Sequence, residues 1–255
     1  MKYLAPLLVV LMVGPLFAQG GTTLFGGSGG AVLPTADVLG KKLFEVSLDW
    51  LNTDDDETFP LRVLYGASDN LEVGGMWSFN NASDVWGLNA KLGTRWLAGA
   101  GAGTAVGIQY EDATDFDVKG WQLYAVHTRP LTKLGQTTVR GSLGVNWTEV
   151  DFDDDNEDGF RIFGSLEGML ANDLTLGVEM QSASGDLGDE DPLASVYARY
   201  RYNDRWTLQA GFTNAAPGGL FAGDDQNLFL GASYAFGASG SRRQVAGASY
   251  SVCNP

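Results

Sequence analysis

Twelve charged side chains recur at alternating positions along this 255-residue chain, each opposite a stripe of apolar residues. Seven are basic and five are acidic: Arg62, Lys91, Arg95, Arg140, Arg161, Arg199 and Arg201, and Glu45, Asp49, Glu72, Glu167 and Glu179. If these side chains share one enclosed space, the basic excess would favour anions in a pore. The alternative is a closed interior in which the same residues form ion pairs. The sequence leaves both possibilities open.

Period-two alternation positions these residues. In the first segment Phe44, Val46 and Leu48 share one face, while Glu45 and Asp49 share the other. Such alternation predicts strands with one face in an apolar medium. About twelve such segments occur: 42–51, 58–66, 71–79, 85–96, 103–110, 118–128, 136–148, 159–170, 174–182, 193–202, 205–214 and 226–236. Lys119 is the one charged residue on an apolar stripe, and it lies at a strand end, where a long side chain can snorkel.

The connections between these segments alternate between short turns and longer, acid-rich loops. Short turns at one end and longer loops at the other are typical of outer-membrane barrels, and an even strand count puts both termini in the periplasm. A closed barrel also satisfies every backbone hydrogen bond in lipid. The chain is therefore predicted to be all-β, an antiparallel up-and-down transmembrane barrel of about twelve strands, with outer-membrane lipid around it. The net charge of -15 argues against binding to nucleic acid.

The remaining segments complete the predicted organisation. Residues 1–18 have a short basic start, an apolar run and a small residue before a polar one, which predicts a signal peptide. Residues 19–41 are rich in glycine and are predicted to form a plug or a periplasmic arm. The barrel follows at 42–236, and 237–255 form a C-terminal tail. The signal peptide, the unequal loops and the aromatic ends of the stripes favour lipid over a soluble barrel or sandwich.

A family resemblance rests on the glycine-rich segment. Residues Gly27 to Leu39 read GSGGAVLPTADVL. This resembles the opening segment of the YjbH-like family of exopolysaccharide-associated outer-membrane β-barrels, and the resemblance implies a link to a surface polysaccharide. The final strand, from Leu228 to Phe236, resembles the aromatic-ended signal that the outer-membrane assembly machinery reads. Unlike that signal, it is followed by a further tail.

Two other features could carry chemistry. Asp154, Asn156 and Asp158 match the first half of a calcium loop, but the twelfth position is Ser165 instead of a bidentate Glu, so a solvated acidic loop is favoured. His127 is the chain's single histidine and is predicted to lie near the periplasmic end of its strand, away from the loops. A catalytic base needs a nucleophile and an orienting group beside it.

These observations predict a non-enzymatic barrel without a cofactor or a resident metal. Its expected function is a narrow pore or a surface-polysaccharide accessory role, with an anionic solute or polysaccharide as a partner. One alternative is a structural or adhesive barrel that works through its acidic extracellular loops. The other, a hydrolase of the outer membrane, is disfavoured because the sequence offers no constellation around His127.

Overall fold

Fourteen strands make up most of the described chain in a computed structural model. The structure describes residues 21–24, 27–52, 57–79, 84–94, 102–114, 118–135, 137–152, 155–170, 173–184, 187, 191–215 and 222–237. The strands are β1 (Gly21–Thr22), β2 (Ser28–Gly29), β3 (Phe44–Asn52), β4 (Glu57–Gly66), β5 (Leu71–Phe79), β6 (Val85–Thr94), β7 (Gly103–Ala113), β8 (Val118–Leu134), β9 (Thr137–Phe152), β10 (Asp155–Met169), β11 (Leu174–Gln181), β12 (Leu193–Arg201), β13 (Trp206–Ala215) and β14 (Ala222–Phe236).

Strands β3 to β14 close into one antiparallel barrel in which sequence neighbours are also spatial neighbours. Closure is made by β14 pairing with β3, from Leu228 opposite Asn52 to Phe236 opposite Phe44. The predicted twelve-stranded up-and-down barrel is therefore confirmed. Strands β1 and β2 form a separate small hairpin. The described residues include no helix that is long and apolar enough to cross a membrane.

Alternation separates the two faces of the wall. Along β3, Glu45, Ser47 and Asp49 are buried inside, whereas Phe44 and Leu48 are exposed outside. The outer face carries a contiguous set of exposed apolar side chains from every side of the barrel, including Leu61, Trp77, Leu88, Val106, Leu123, Leu143, Phe160, Leu166, Val178, Val196, Phe212 and Leu230. An exposed apolar surface of this extent requires a hydrocarbon environment, because soluble monomers expose only small apolar patches.

Two groups of aromatic side chains mark the ends of the barrel. We call the end where β3 begins and β14 stops the lower rim, and the opposite end the upper rim. At the lower rim Phe44 lies 5.9 Å from Phe236, and Tyr234 lies 4.5 Å from Phe236, between ring centroids. Towards the upper rim the Tyr110 ring lies 5.3 Å from Trp86 and 4.5 Å from Trp121. Such aromatic girdles are typical of the two membrane interfaces.

The acid-rich connection after β9 differs from the sequence prediction. Residues Glu149 and Asp158 were expected in a long loop, but they face each other across the β9–β10 ladder, which continues to Phe152 opposite Asp155. Likewise β7 continues through Glu111 to Ala113. Apolar alternation marks only the part of a strand that crosses lipid. Beyond it, pairing with a neighbouring strand still satisfies the backbone, so polar residues extend the ladder.

Inside the wall, glycines make room for aromatic rings on the neighbouring strand. A Cβ at Gly107 would overlap the ring of Tyr124, its partner across the β7–β8 ladder. The same relation recurs three more times, in the cross-strand pairs Gly144–Phe163, Gly177–Tyr197 and Gly211–Phe229. Each ring lies over the glycine opposite, where any side chain would collide with it.

Candidate functional site in the barrel lumen

Residues 21–24 and 27–40, which we call the inner segment, lie inside the barrel. Thr22 Oγ1 lies 2.7 Å from Ser47 Oγ on β3, and the backbone N–H of Ala36 donates to Thr128 Oγ1 on β8 at 2.9 Å. The apolar side chains of the segment belong to one buried cluster with inward-facing wall residues; from the segment these are Leu24, Ala31, Val32 and Leu33. The segment therefore contacts opposite sides of the wall and fills the lumen between them.

Glu72 on β5 and Lys91 on β6 form the first attachment of the segment. The two residues are cross-strand partners, and Lys91 Nζ lies 3.0 Å from Glu72 Oε1. Glu72 accepts from the N–H of Ser28 at 2.9 Å and from the N–H of Leu39 at 2.6 Å. Lys91 Nζ donates to the carbonyl of Ser28 at 2.6 Å. This buried ion pair thus binds two backbone N–H groups and one backbone carbonyl of the segment.

Arg140 on β9 forms the second attachment, across the lumen from the first. Its NH1 group donates to Asp37 Oδ2 of the segment at 2.6 Å. Its Nε donates to Glu167 Oε2 on β10 at 2.5 Å, and Tyr197 O–H donates to the other oxygen of Glu167 at 2.7 Å. Arg140 is therefore shared between a carboxylate of the wall and a carboxylate of the segment. Charge-assisted bonds of this kind are about twice as strong as neutral ones.

Glu179 and Arg199 hold the turn at the centre of the segment. Glu179 Oε2 accepts from the N–H of Val32 at 2.8 Å. Arg199 donates from NH1 to the carbonyl of Gly29 at 3.0 Å and from NH2 to the carbonyl of Gly30 at 2.8 Å. A Cβ at Gly30 would overlap Glu179 Oε1, so the wall can approach this closely only because position 30 is a glycine.

A further ion pair lies within the wall itself, on strands β3 and β4. Arg62 pairs with Asp49, and both side chains are fully buried. Asp49 Oδ1 also accepts from Gln209 Nε2 at 2.6 Å, and Gln209 Oε1 in turn accepts from Arg199 NH2 at 3.2 Å. This chain of bonds links the Arg62 side of the lumen to the arginine that holds the inner segment.

The structure brings most of the sequence-derived site residues into this lumen. Ten of the twelve are buried: Arg62, Lys91, Arg140, Arg161, Arg199, Glu45, Asp49, Glu72, Glu167 and Glu179. Arg201 is half-buried at the lower rim, where it pairs with Asp173. Arg95 lies outside the described residues. We call the residues that touch the inner segment or its partners, Glu72, Lys91, Arg140, Glu167, Glu179 and Arg199, the charged cluster.

The sequence predicted that basic side chains outnumber acidic ones in the lumen. Among the buried charged residues that the structure describes, the acidic ones outnumber the basic ones. Five of these are basic (Arg62, Lys91, Arg140, Arg161 and Arg199), and seven are acidic (Asp37, Glu45, Asp49, Glu72, Glu111, Glu167 and Glu179). Sequence reasoning missed two of the acids. Asp37 lies outside any alternating strand, and Glu111 lies past the point where the apolar stripe of β7 ends. Glu111 could have been found from its position, because it lies two residues after Gln109 on β7 and therefore shares the inner face of that strand.

Nearer the upper rim the lumen is lined by side-chain amides. We call Gln109, Gln122, Asn146 and Gln181 the amide cluster. Asn146 Nδ2 donates to Gln181 Oε1 at 2.7 Å, and Gln122 Nε2 donates to Thr148 Oγ1 at 3.4 Å. Three of its members line a small cleft above the inner segment, with space of only about 20 Å³ for water. Neutral amides thus replace ion pairs on this side of the segment.

Two other sequence candidates do not form sites. Asn156 and Asp158 lie in the β10 ladder, where Asn156 donates to Glu149 and Asp158 accepts from Trp147 Nε1 at 2.9 Å. Asp154 lies outside the described residues. The predicted half of a calcium loop is therefore part of a strand hairpin. Among described residues no group of three or more His, Cys, Asp or Glu side chains is placed to hold a metal.

His127 lies on the outer face of β8. Its side chain is exposed, and Nδ1 lies 3.0 Å from Thr104 Oγ1 of β7. The imidazole therefore faces away from the lumen and from the charged cluster. A hydrolytic site would need an orienting group on the same surface, and Thr104 is the partner that the structure gives to the ring.

Comparisons with solved structures agree with this architecture. The KdgM porin matches with a TM-score of 0.57 at 11% identity, over 75% of this chain and 99% of that chain. The NanC porin matches with a TM-score of 0.57 at 10% identity, over 75% and 98%. A COG4313 outer membrane channel from Pseudomonas putida F1 matches with a TM-score of 0.50 at 13% identity, over 79% and 98%.

No protein-family model matches the chain, and no curated protein matches it. Identities this low are informative about the fold alone. The closed twelve-stranded wall, its apolar outer face and its aromatic girdles define the class: the protein is an outer-membrane β-barrel with a porin-like fold. It therefore resides in the outer membrane, with lipid around its wall.

Proposed function

We propose that the protein is a non-enzymatic outer-membrane channel that its own inner segment holds closed. The observation that carries this proposal is the pattern of attachment. The segment is bound to Glu72 and Lys91 on one side of the lumen and to Arg140, Glu179 and Arg199 on the other. These are polar bonds, which water can replace when the segment leaves. The exposed position of His127 supports a non-enzymatic role.

Opening would proceed through the lower rim. The segment joins β3 there, and the N–H of Lys42 donates to the carbonyl of Gly66 at 2.8 Å at the mouth. The barrel wall begins with β3 and ends with β14 at this rim, which in barrels of this class faces the periplasm. The segment would therefore swing out into the periplasm around residues 40–43, while the wall stays closed.

The solute that we propose is an anionic saccharide. The related fold of the KdgM porin has been solved in complex with oligogalacturonate, a polymer of that kind. The glycine-rich segment of this chain independently resembles that of an exopolysaccharide-associated family. Lys91, Arg140 and Arg199 would supply donors to carboxylates once the segment has left, and the neighbouring carboxylates would keep binding weak enough for passage. We further propose that β14, with its aromatic end at Phe236, is read by the assembly machinery.

A reversible tether tests this function. Thr22 and Ser47 have side-chain oxygens 2.7 Å apart, so Thr22→Cys with Ser47→Cys, in a Cys253→Ser background, can link the segment to β3. In planar bilayers the oxidised protein should stay closed, and reduction should restore the openings of the untethered protein. Cys253→Ser alone should be insensitive to reductant. Equal conductance of the oxidised and reduced forms would contradict a segment that gates the lumen.

A structural or adhesive barrel is the second candidate. It is favoured by the apolar cluster that joins Leu24, Val32 and Leu33 to wall residues such as Met76 and Phe229, since this packing resembles a permanent core. It predicts no conductance in planar bilayers even after residues 21–40 are deleted, provided that the deletion variant still shows heat-modifiable gel mobility.

A further inference from the structure

We infer that a cleft at the lower rim binds a small anion through carboxylate or phosphate groups, and that this anion loosens the inner segment by competing for the arginines that hold it. The cleft lies between β9 and β13 and has space of about 60 Å³ for water. Its lining includes Arg140, Glu167, Thr175, Arg199, Arg201 and Thr207. The binding part of the inference stands alone, and the loosening part rests on the proposed function.

The backbone register gathers these residues on one patch of the inner wall. Thr175 is the cross-strand partner of Arg199, and Thr207 is the cross-strand partner of Arg201. Arg199 and Arg201 lie two positions apart on β12, so both point into the lumen. Guanidinium groups and threonine hydroxyls are the donors that recognise carboxylate and phosphate groups.

The wall side chains that line the cleft carry a net positive charge. Arg201 is paired with Asp173, and Glu167 is bonded to Arg140 and to Tyr197. Three arginines against these two carboxylates give a net charge of +1 on the wall. The inner segment supplies Asp37 to Arg140, which completes neutrality. A carboxylate or phosphate group of a soluble anion can take the place of the Asp37 carboxylate at this arginine.

Two of the cleft arginines also hold the inner segment. Arg140 binds Asp37, and Arg199 binds the carbonyls of Gly29 and Gly30. The Nε group of Arg199 is buried and has no hydrogen-bond partner among the described residues. Arg199 thus has an unused donor beside the cleft. An anion that takes the guanidinium groups weakens the bonds to the segment, because any ligand that binds the released state better shifts the population towards it.

Arg201 and Arg199 therefore have separable roles. Arg201 lines the cleft and pairs with Asp173 at the rim, whereas Arg199 lines the cleft and also binds the segment. Arg205 offers a matched control at the same rim, because it is exposed and donates to Tyr234 O–H at 2.9 Å on the outer face. Replacing any of the three with Gln removes one positive charge and retains a polar side chain.

Binding is tested by calorimetric titration of the mature protein in detergent with citrate and, separately, with inorganic phosphate, at constant ionic strength. Loss of one charge-assisted contact predicts an increase in Kd of about tenfold for Arg201→Gln. Arg205→Gln should bind as the unchanged protein does, and sucrose should not bind. If Arg201→Gln and Arg205→Gln weaken citrate binding equally, then the anion is held by general electrostatic attraction to the surface and the proposed site is wrong.

Loosening is tested by thiol labelling, which does not require conductance. Val32→Cys in the Cys253→Ser background places a thiol on the buried turn of the segment. Citrate should increase its rate of maleimide labelling severalfold, and Arg199→Gln should increase that rate without citrate. Arg201→Gln should keep the slow basal rate and lose the response to citrate. If citrate binds without changing the labelling rate, then it does not compete with the segment for the arginines. If labelling depends on citrate but planar bilayers show no conductance, then only the proposed channel function is wrong.

Discussion

The charged cluster and the amide cluster face the inner segment in different ways. The charged cluster binds the backbone and Asp37 of the segment directly, through ion pairs whose two partners come from neighbouring strands. The amide cluster is bonded mainly within the wall, as in the Asn146–Gln181 pair. Both clusters lie inside the barrel, yet only the first depends on the segment being present.

This difference implies two kinds of stability in one barrel. A buried ion pair is costly to break, because the remaining partner keeps a charge without compensation. A pair of neutral amides costs less to lose and can be replaced by apolar side chains of similar shape. Substitutions in the charged cluster should therefore release the inner segment, whereas substitutions in the amide cluster should mainly affect the wall.

Replacing Glu72 should have the largest effect. Glu72→Ala leaves Lys91 without its carboxylate and leaves the N–H groups of Ser28 and Leu39 without an acceptor. We expect a loss of about 3–5 kcal/mol in the attachment of the segment. Protease should then cleave within residues 21–40 in reconstituted vesicles, while the barrel keeps its heat-modifiable mobility. Glu72→Gln, which retains an acceptor, should have a smaller effect; equal effects would contradict the role of the charge.

Adding one methyl group to the segment should have the next largest effect. In Gly30→Ala the new Cβ would overlap Glu179 Oε1, so either the turn or the Glu179 carboxylate that binds Val32 must move, and both movements weaken this attachment. Overpacking of this kind costs about 1–3 kcal/mol. The expected result is faster labelling of a thiol at position 32. Gly135→Ala is unsuitable as a control because its φ is 62°, but Gly168→Ala has space and should behave as the unchanged protein.

Breaking the amide pair should have a smaller effect, and on the wall only. Gln181→Leu leaves the buried Nδ2 group of Asn146 without its acceptor, which costs about 1 kcal/mol. Urea unfolding of the barrel in vesicles should detect this loss, and protease sensitivity of the inner segment should not change. The double variant Asn146→Leu, Gln181→Leu should recover part of the stability. Release of the segment by Gln181→Leu would remove the distinction between the clusters.

Removing an outer charge should have the smallest effect. Lys119 is exposed on the outer face opposite Asp112 and Asp151, on the extended parts of β7 and β9. Lys119→Ala should change the free energy of unfolding by less than about 0.5 kcal/mol, because exposed pairs are screened by water and salt. The same urea titration measures it. A change as large as that of Gln181→Leu would mean that the extended hairpins are a structural part of the barrel.

The barrel could be predicted because its signal is local. Each strand repeats an apolar residue at every second position, and the inward phase of residues such as Glu45, Lys91 and Glu167 follows from their immediate neighbours. Lipid outside the wall makes this alternation strict, since a charged side chain on the outer face is costly in hydrocarbon. Strand number, the inward or outward direction of each side chain and the closed antiparallel order were therefore readable from the sequence.

Where the strands end could not be read in the same way. Eight of the ten residues from Glu149 to Asp158 are polar, and the two apolar ones, Val150 and Phe152, have the opposite parity to the apolar stripe of β9, so the outward alternation does not extend there. Pairing nevertheless continues to Phe152 on β9 and to Asp155 on β10. Above the lipid, a strand continues as long as the neighbouring strand offers backbone N–H and C=O groups to pair with. These groups are in place only once the sheet has assembled.

The wall can be inferred from the residues alone, whereas the contents of the lumen depend on contacts between residues far apart in the chain. The glycine-rich residues 21–40 have no alternation, and their composition fits a plug as well as a free arm. Their place is fixed by contacts with distant residues, such as Asp37 with Arg140 and Val32 with Glu179. The physical reason is that a closed wall first creates a low-dielectric interior. Only there do unpaired arginines and carboxylates require the partners that the inner segment supplies.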